Sequence, residues 1–137
     1  METIDAVKKK FEKGMGSILN SNGKGTTFRV WAPHAEAVSV VGDFNNWKKK
    51  SNPLEHEENG YWSCAVKKAK EGQEYKFSIT YKGNTFQRND PYAREMTNSN
   101  GNSVICSLDF DWKCNDFVMP DWNKLVVYEL HIGTFYR

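Results

Sequence analysis

The stretch EYKFSITYKG, residues 74 to 83, constrains this chain more than any other, because apolar and polar residues alternate through it without a slip. Tyr75, Phe77, Ile79 and Tyr81 fall on one side, and Lys76, Ser78, Thr80 and Lys82 on the other. Successive side chains of a strand point to opposite faces, so the pattern predicts an antiparallel strand with one face in a core and the other in water. The same period of two puts Phe28, Val30 and Ala32 on one face of TTFRVWA, and Val38 and Val40 on one face of AVSVVGDF. Shorter strands are predicted in GYWSCAVKK and SVICSLDF, with turn residues between them at Asn45-Asn46, Asn59-Gly60, Lys82-Gly83-Asn84 and Asn98-Ser99-Asn100-Gly101. Short strands at such intervals predict an all-β, antiparallel sandwich.

The flanks follow other periods. Ile4, Val7 and Phe11 recur at helical spacing with Lys8, Lys9 and Lys10 on the other side, which predicts a short N-terminal helix stopped at Gly14 and Gly16. Residues 1–16 are thus expected to form an extension and 17–110 the sandwich. Residues 111–124, with Pro120 and scattered charges, read as a linker. Beyond it LVVYELHIGTF, residues 125–135, is apolar on both faces, as in a strand buried on both sides of a parallel sheet. Residues 125–137 are therefore expected to open a further domain whose neighbouring strands lie outside this sequence. An apolar strand without neighbours tends to pair with another chain, so dimerisation through 125–135 is expected too.

The 137 residues suit one ordinary domain, and a formal charge of +2 is too small to predict a nucleic-acid or membrane partner. A neutral ligand fits better. Cys64, Cys106 and Cys114 form no CxxC pair and are odd in number, which argues against a disulfide framework and against a zinc site. The first 16 residues place lysines mid-segment and lack an uninterrupted apolar run, so they are read as neither signal peptide nor anchor, and a cytoplasmic location is expected. His34, His56 and His131 stand far apart without metal or triad context, and no glycine loop suited to phosphate appears, so no metal and no cofactor are expected. Cleavage of a glycosidic bond uses two placed carboxyl groups, whereas Glu55, Glu57 and Glu58 cluster like a solvated loop. No catalytic residue is assigned.

Binding chemistry is more visible. Gly42-Asp43-Phe44-Asn45-Asn46-Trp47 leads a strand into a turn that gathers two aromatics among amides and a carboxylate. A sugar ring has an apolar C–H face that stacks on an aromatic ring, and a rim of hydroxyls that needs planar amides, carboxylates or ammonium groups. Trp47 suits the platform, although the local pattern fits equally well a ring that caps the sandwich. Phe44 reads as core. Alternation sets Lys76 opposite the apolar face of its strand, where its ammonium either donates to sugar hydroxyls or is simply solvated. Phe86, just past a turn, is either a second stacking surface or core.

These residues form a pattern: Trp-Ala-Pro at 31–33, Val-Gly-Asp-Phe-Asn-Asn-Trp at 41–47, Tyr-Lys-Phe at 75–77, Asp-Pro-Tyr-Ala at 90–93, then VVYELHIGTF at 126–135. In that order they resemble the opening of α-glucan branching enzymes and their relatives in glycoside hydrolase family 13. The resemblance implies an immunoglobulin-like sandwich of the carbohydrate-binding family 48 type, followed by the first strand of a (β/α)8 barrel. The module also resembles the glycogen-binding domain of AMP-activated kinase, where tryptophans and a lysine hold the glucan. Trp47 matches the platform tryptophan, Lys76 matches the lysine, and Phe86 falls near the second tryptophan. Where the family's later binding loop carries leucine and threonine about a glycine, this chain has Asn100-Gly101-Asn102-Ser103, and Asn102 is the residue in reach of a sugar hydroxyl. The resemblance implies binding of α-1,4-glucan (glycogen, starch or maltooligosaccharide), and a parent that moves α-1,4 segments into α-1,6 branches. It leaves two alternatives open: a sandwich that only positions the barrel, and the same module in a debranching, amylase-like or trehalose-forming relative.

Overall fold

The computed structural model describes residues 14–109, 111–113 and 116–135. The helix expected over 4–11 and Cys114 lie outside them. Two antiparallel sheets pack face to face. One holds β1 (Gly16–Leu19), β2 (Thr26–Trp31), β4 (Glu55–His56) and β5 (Tyr61–Val66) in the order β1-β2-β5-β4. The other runs β3-β6-β9-β8, from β3 (Ala37–Gly42), β6 (Glu74–Tyr81), β9 (Ser103–Val104) and β8 (Glu95–Met96), while β7 (Asn84–Arg88) also pairs with β6. The all-β, immunoglobulin-like sandwich expected from the sequence is what forms.

The core shows why. Phe28, Val30, Trp62, Cys64 and Val66 from the first sheet meet Val38, Val40, Tyr75 and Phe77 from the second, all nearly or fully buried. The Phe28 ring lies 5.0 Å from Tyr75, edge to face, and 5.4 Å from Phe44. Aromatic pairs in such arrangements add to the stabilisation that burial alone gives. The alternating strand lies at the centre of its sheet: β6 pairs with β3 in the register Val41↔Lys76, with β7 as Ile79↔Phe86, and with β9 as Glu74↔Val104. Its polar residues Lys76, Ser78 and Thr80 therefore share the outer face with Ser39 and Val41.

Several local expectations changed in the packed molecule. Gly16, expected to stop a helix, instead begins β1 with φ +81, and a Cβ there would press on Asp90 Oδ2 at 2.9 Å. Among the described residues of SVICSLDF only Ser103–Val104 is strand, because β6 offers its edge to β9 over two residues and to β7 from Phe77 onward. Glu57 is not merely solvated: Arg29 clamps it through Nε and Nη2, the latter at 2.7 Å. Residues 125–131 join no ladder among the described residues, and α1 (Ile132–Phe135) follows them. Val126, Val127 and Tyr128 are 90 %, 78 % and 76 % exposed. A strand buried on both faces needs a partner on each side, and among the described residues none stands beside 125–131.

Candidate functional site

The turn after β3 is built by its own side chains. Asn45 accepts from the Gly42 N–H through Oδ1 at 3.0 Å and donates through Nδ2 to Val40 O and Asn52 Oδ1, so one amide ties the turn to β3 and to the bend at Asn52. Asn46 and Trp47 both sit at positive φ, 52° and 57°, a conformation that asparagine tolerates and tryptophan rarely adopts. Here the Trp47 N–H donates to Gly42 O at 2.9 Å, and its Nε1 donates to Asp43 Oδ1 at 3.0 Å. Trp47 is half-buried and lies outside the core cluster. Its ring is held in place without being enclosed.

Asp43 extends that hold. Its second oxygen accepts the Glu74 N–H at 2.8 Å, and Glu74 Oε2 accepts from Asn102 Nδ2 at 2.6 Å. Two residues beyond Glu74, on the same face, stands Lys76, half-buried beside the buried Val41. Continuing the β6–β9 register by one pair sets Asn102 opposite Lys76. A chain of hydrogen bonds therefore links Trp47 to Asn102 and runs past Lys76, along one edge of the outer face. The arrangement offers an aromatic ring, an amide, a carboxylate and an ammonium, the set a sugar needs.

Phe86 does not join them. Its register opposite Ile79 turns it to the core-side face of β6, and the Arg88 guanidinium covers its ring at 4.6 Å from the centre. On the pleat Phe86 thus lies on the face opposite Lys76, since residues an odd number apart on paired strands cannot share a face. Phe44 packs on the core, as expected. Asp43 and Glu74 were missed as site residues. The signal for Asp43 was its place between Gly42 and Trp47; for Glu74 there was none, because its role depends on pairing with a loop far along the chain.

A cavity of about 400 Å³ is lined by Phe44, Asn45, Asn46, Asn52 and the 65–68 segment, and neither Trp47 nor Lys76 lines it. An open ledge suits a polymer better than that recess does, since a long chain must enter and leave at both ends. Among the described residues no group of His, Cys, Asp and Glu could hold a metal ion, and no helix is long and apolar enough to cross a membrane. Cys64 is buried, and burial pushes its thiol up to about 12, which makes it a poor nucleophile.

The motif Asp90-Pro91-Tyr92-Ala93 belongs to the frame of the site. Buried Asp90 accepts the Tyr75 hydroxyl through Oδ2 at 2.5 Å and the Tyr92 N–H through Oδ1 at 2.8 Å. Its own N–H donates to Ser103 Oγ at 2.9 Å, fastening β9 and hence Asn102 to the core.

Comparison with known proteins gives a consistent result. The family profile described as carbohydrate-binding module 48 (isoamylase N-terminal domain) matches residues 14–93. A 1,4-alpha-glucan branching enzyme GlgB from Nitrosomonas europaea is 36% identical over 135 residues, covering 90% of this chain and 18% of that protein. One from Prochlorococcus marinus is 33% identical over 131 residues, 89% of this chain and 17% of that protein. The chain thus spans less than a fifth of the length of these relatives. Among solved structures, the pullulanase from Bacillus acidopullulyticus superposes with a TM-score of 0.59 at 26% identity, over 72% of this chain and 12% of its own. The maltotriose complex of PulA from Klebsiella pneumoniae gives 0.58 at 27% identity, over 69% of this chain and 11% of its own.

Proposed function

This chain belongs to the carbohydrate-binding module 48 family, and from that premise we propose that its sandwich lays an α-1,4-glucan along the ledge of Trp47, Lys76 and Asn102. Trp47 stacks against the C–H face of one glucose unit, Lys76 donates to hydroxyls of the chain, and Asn102 supplies a second polar contact while Glu74 orients its amide. The observation that carries this reading is the hydrogen-bonded link from Trp47 through Asp43 and Glu74 to Asn102. It draws residues from three separate segments to one edge with their geometry set before any ligand arrives, which lowers the ordering cost of binding.

The parent role follows from the relatives' names. We infer a non-catalytic, N-terminal positioning module of a 1,4-α-glucan branching enzyme, with residues 111–124 as the linker and 125–137 as the start of a catalytic barrel. The cysteine usage supports a reducing compartment, the cytoplasm. The pullulanase neighbours favour one second reading, the same module in a debranching enzyme.

Calorimetric titration with maltoheptaose and β-cyclodextrin, beside Trp47→Ala and with circular dichroism as the folding control, tests the binding role. The expected result is heat of binding in the parent chain that disappears in the variant while the fold persists. Absence of binding by the well-folded chain would leave it as a scaffold for the barrel. Equal binding by both proteins would move the sugar site elsewhere.

A further inference from the structure

The outer face of the other sheet carries an aromatic that the glucan ledge does not use. Trp31 ends β2 and is 55 % exposed, yet its indole is fixed, with Nε1 donating to Asn59 O at 3.1 Å. Directly across the ladder stands Tyr61, half-buried, with the Arg29 guanidinium 4.4 Å from its ring centre. Arg29 is in turn locked by Glu57. Gly60, at φ +80, lies so close to Pro33 that a Cβ would meet the Pro33 ring at 2.6 Å, so the 58–60 turn and the end of β2 are seated on each other. The indole therefore stands on a shelf whose parts are already immobilised, and its only donor is committed to the backbone. What it has left to offer is the face of its ring.

We propose that Trp31 is the platform of a second α-glucan contact, on the sheet opposite Trp47. This inference rests on the reading of the chain as a glucan module. The chemistry around the ring selects a neutral, hydroxyl-rich ligand. Arg29 is paired with Glu57, and the segment whose backbone accepts the indole N–H carries the exposed side chains of Glu58 and Asn59, a carboxylate and an amide that suit hydroxyls better than phosphates. An aromatic left in water gains by covering its apolar surface, and a glucose C–H face covers it without breaking the Nε1 bond. Because Trp31 ends a strand of one sheet and Trp47 follows a strand of the other, two stretches of glucan are held rather than one stretch twice. Such a module grips a branched, many-chained polymer far better than it grips a short oligosaccharide.

The experiment follows the tryptophan indole N–H signals of the full chain by NMR during titration with maltoheptaose, for the parent, Trp31→Ala, Trp31→Phe and Trp47→Ala. Co-sedimentation with glycogen is measured for each. The expected result is that both indoles shift, that Trp31→Ala leaves the Trp47 response intact, and that its affinity for glycogen falls by about 10-fold or more. Trp31→Phe keeps a stacking face and should recover part of the loss, and it also serves where the alanine variant folds poorly. A titration that saturates with only the Trp47 signal moved, or glycogen binding unchanged in Trp31→Ala and Trp31→Phe, overturns the second contact. A shift of Trp31 alone upholds it while overturning the Trp47 ledge, and a shift of neither removes both.

Discussion

Lys76 and Asp43 show how differently two polar residues at one site act. Among the described residues the Lys76 ammonium has no ion-pair partner, so it is available to a ligand and contributes little to the fold. Lys76→Met should lower affinity for maltoheptaose about 5- to 10-fold, in line with the ~1 kcal/mol net value of a hydrogen bond, with the melting temperature nearly unchanged. Asp43→Ala releases both the Trp47 indole and the Glu74 N–H, and should cost affinity and some stability together, read by titration and thermal melting. Asp90 is a third type. Burial raises its pKa above the ordinary 3.8, against the pull of the Tyr75 and Tyr92 hydrogen bonds, so the folded protein holds a proton there more tightly than the unfolded chain does. Its contribution to stability is full below 3.8 and is lost as the pH rises through the raised folded value. Glu57 has the opposite sign. Burial would raise its pKa, but the Arg29 hydrogen bonds and charge outweigh it and leave it below 4.5, so its contribution is present above 4.5 and is lost as the pH falls. Urea denaturation of Asp90→Asn from pH 4 to pH 8 should lack the loss on the alkaline side that the parent shows.

At the scale of elements, β6 decides the site. Its alternation was legible in the sequence because one strand's period depends only on neighbours along the chain, and so Tyr75, Phe77 and Lys76 were assigned to the right faces. The placement of Phe86 was not legible, since the face of β7 is set by its register against β6. Nor was β1, a four-residue strand whose residues pair only because β2 presents an open edge. The end of β3 carries the tightest constraint. A Cβ on Gly42 would run into Glu74 O and approach the Phe44 ring at 2.9 Å, although its backbone is extended and any residue adopts it. Gly42→Ala should therefore push β3 away from β6, destabilise the fold by about 1–3 kcal/mol and weaken glucan binding in the same variant, since Asp43 is carried away from Glu74. Denaturation and titration of this one protein check both.

For the whole molecule, the exposed apolar residues beyond the sandwich are the outstanding feature. Val126, Val127 and Tyr128 are largely exposed to water, and Leu130 is about half-exposed. Such surface associates. The chain should sediment as a dimer or larger species, a version ending at Asn123 should sediment as a monomer, and an unchanged profile would discard that idea. Neither should show glucan branching. The sequence by itself determined the sandwich, the inward aromatics, the turn at Asn45-Asn46 and the candidacy of Trp47 and Lys76, because each rests on local periodicity or on the chemistry of a single side chain. Only the tertiary structure decided that Asp43 and Glu74 join Trp47 to Asn102, that Phe86 is turned away, and that Trp31 stands pinned and exposed on the opposite sheet. Those facts depend on strand register and on contacts between segments distant in the chain, and a one-residue shift in register exchanges the two faces without altering any local pattern.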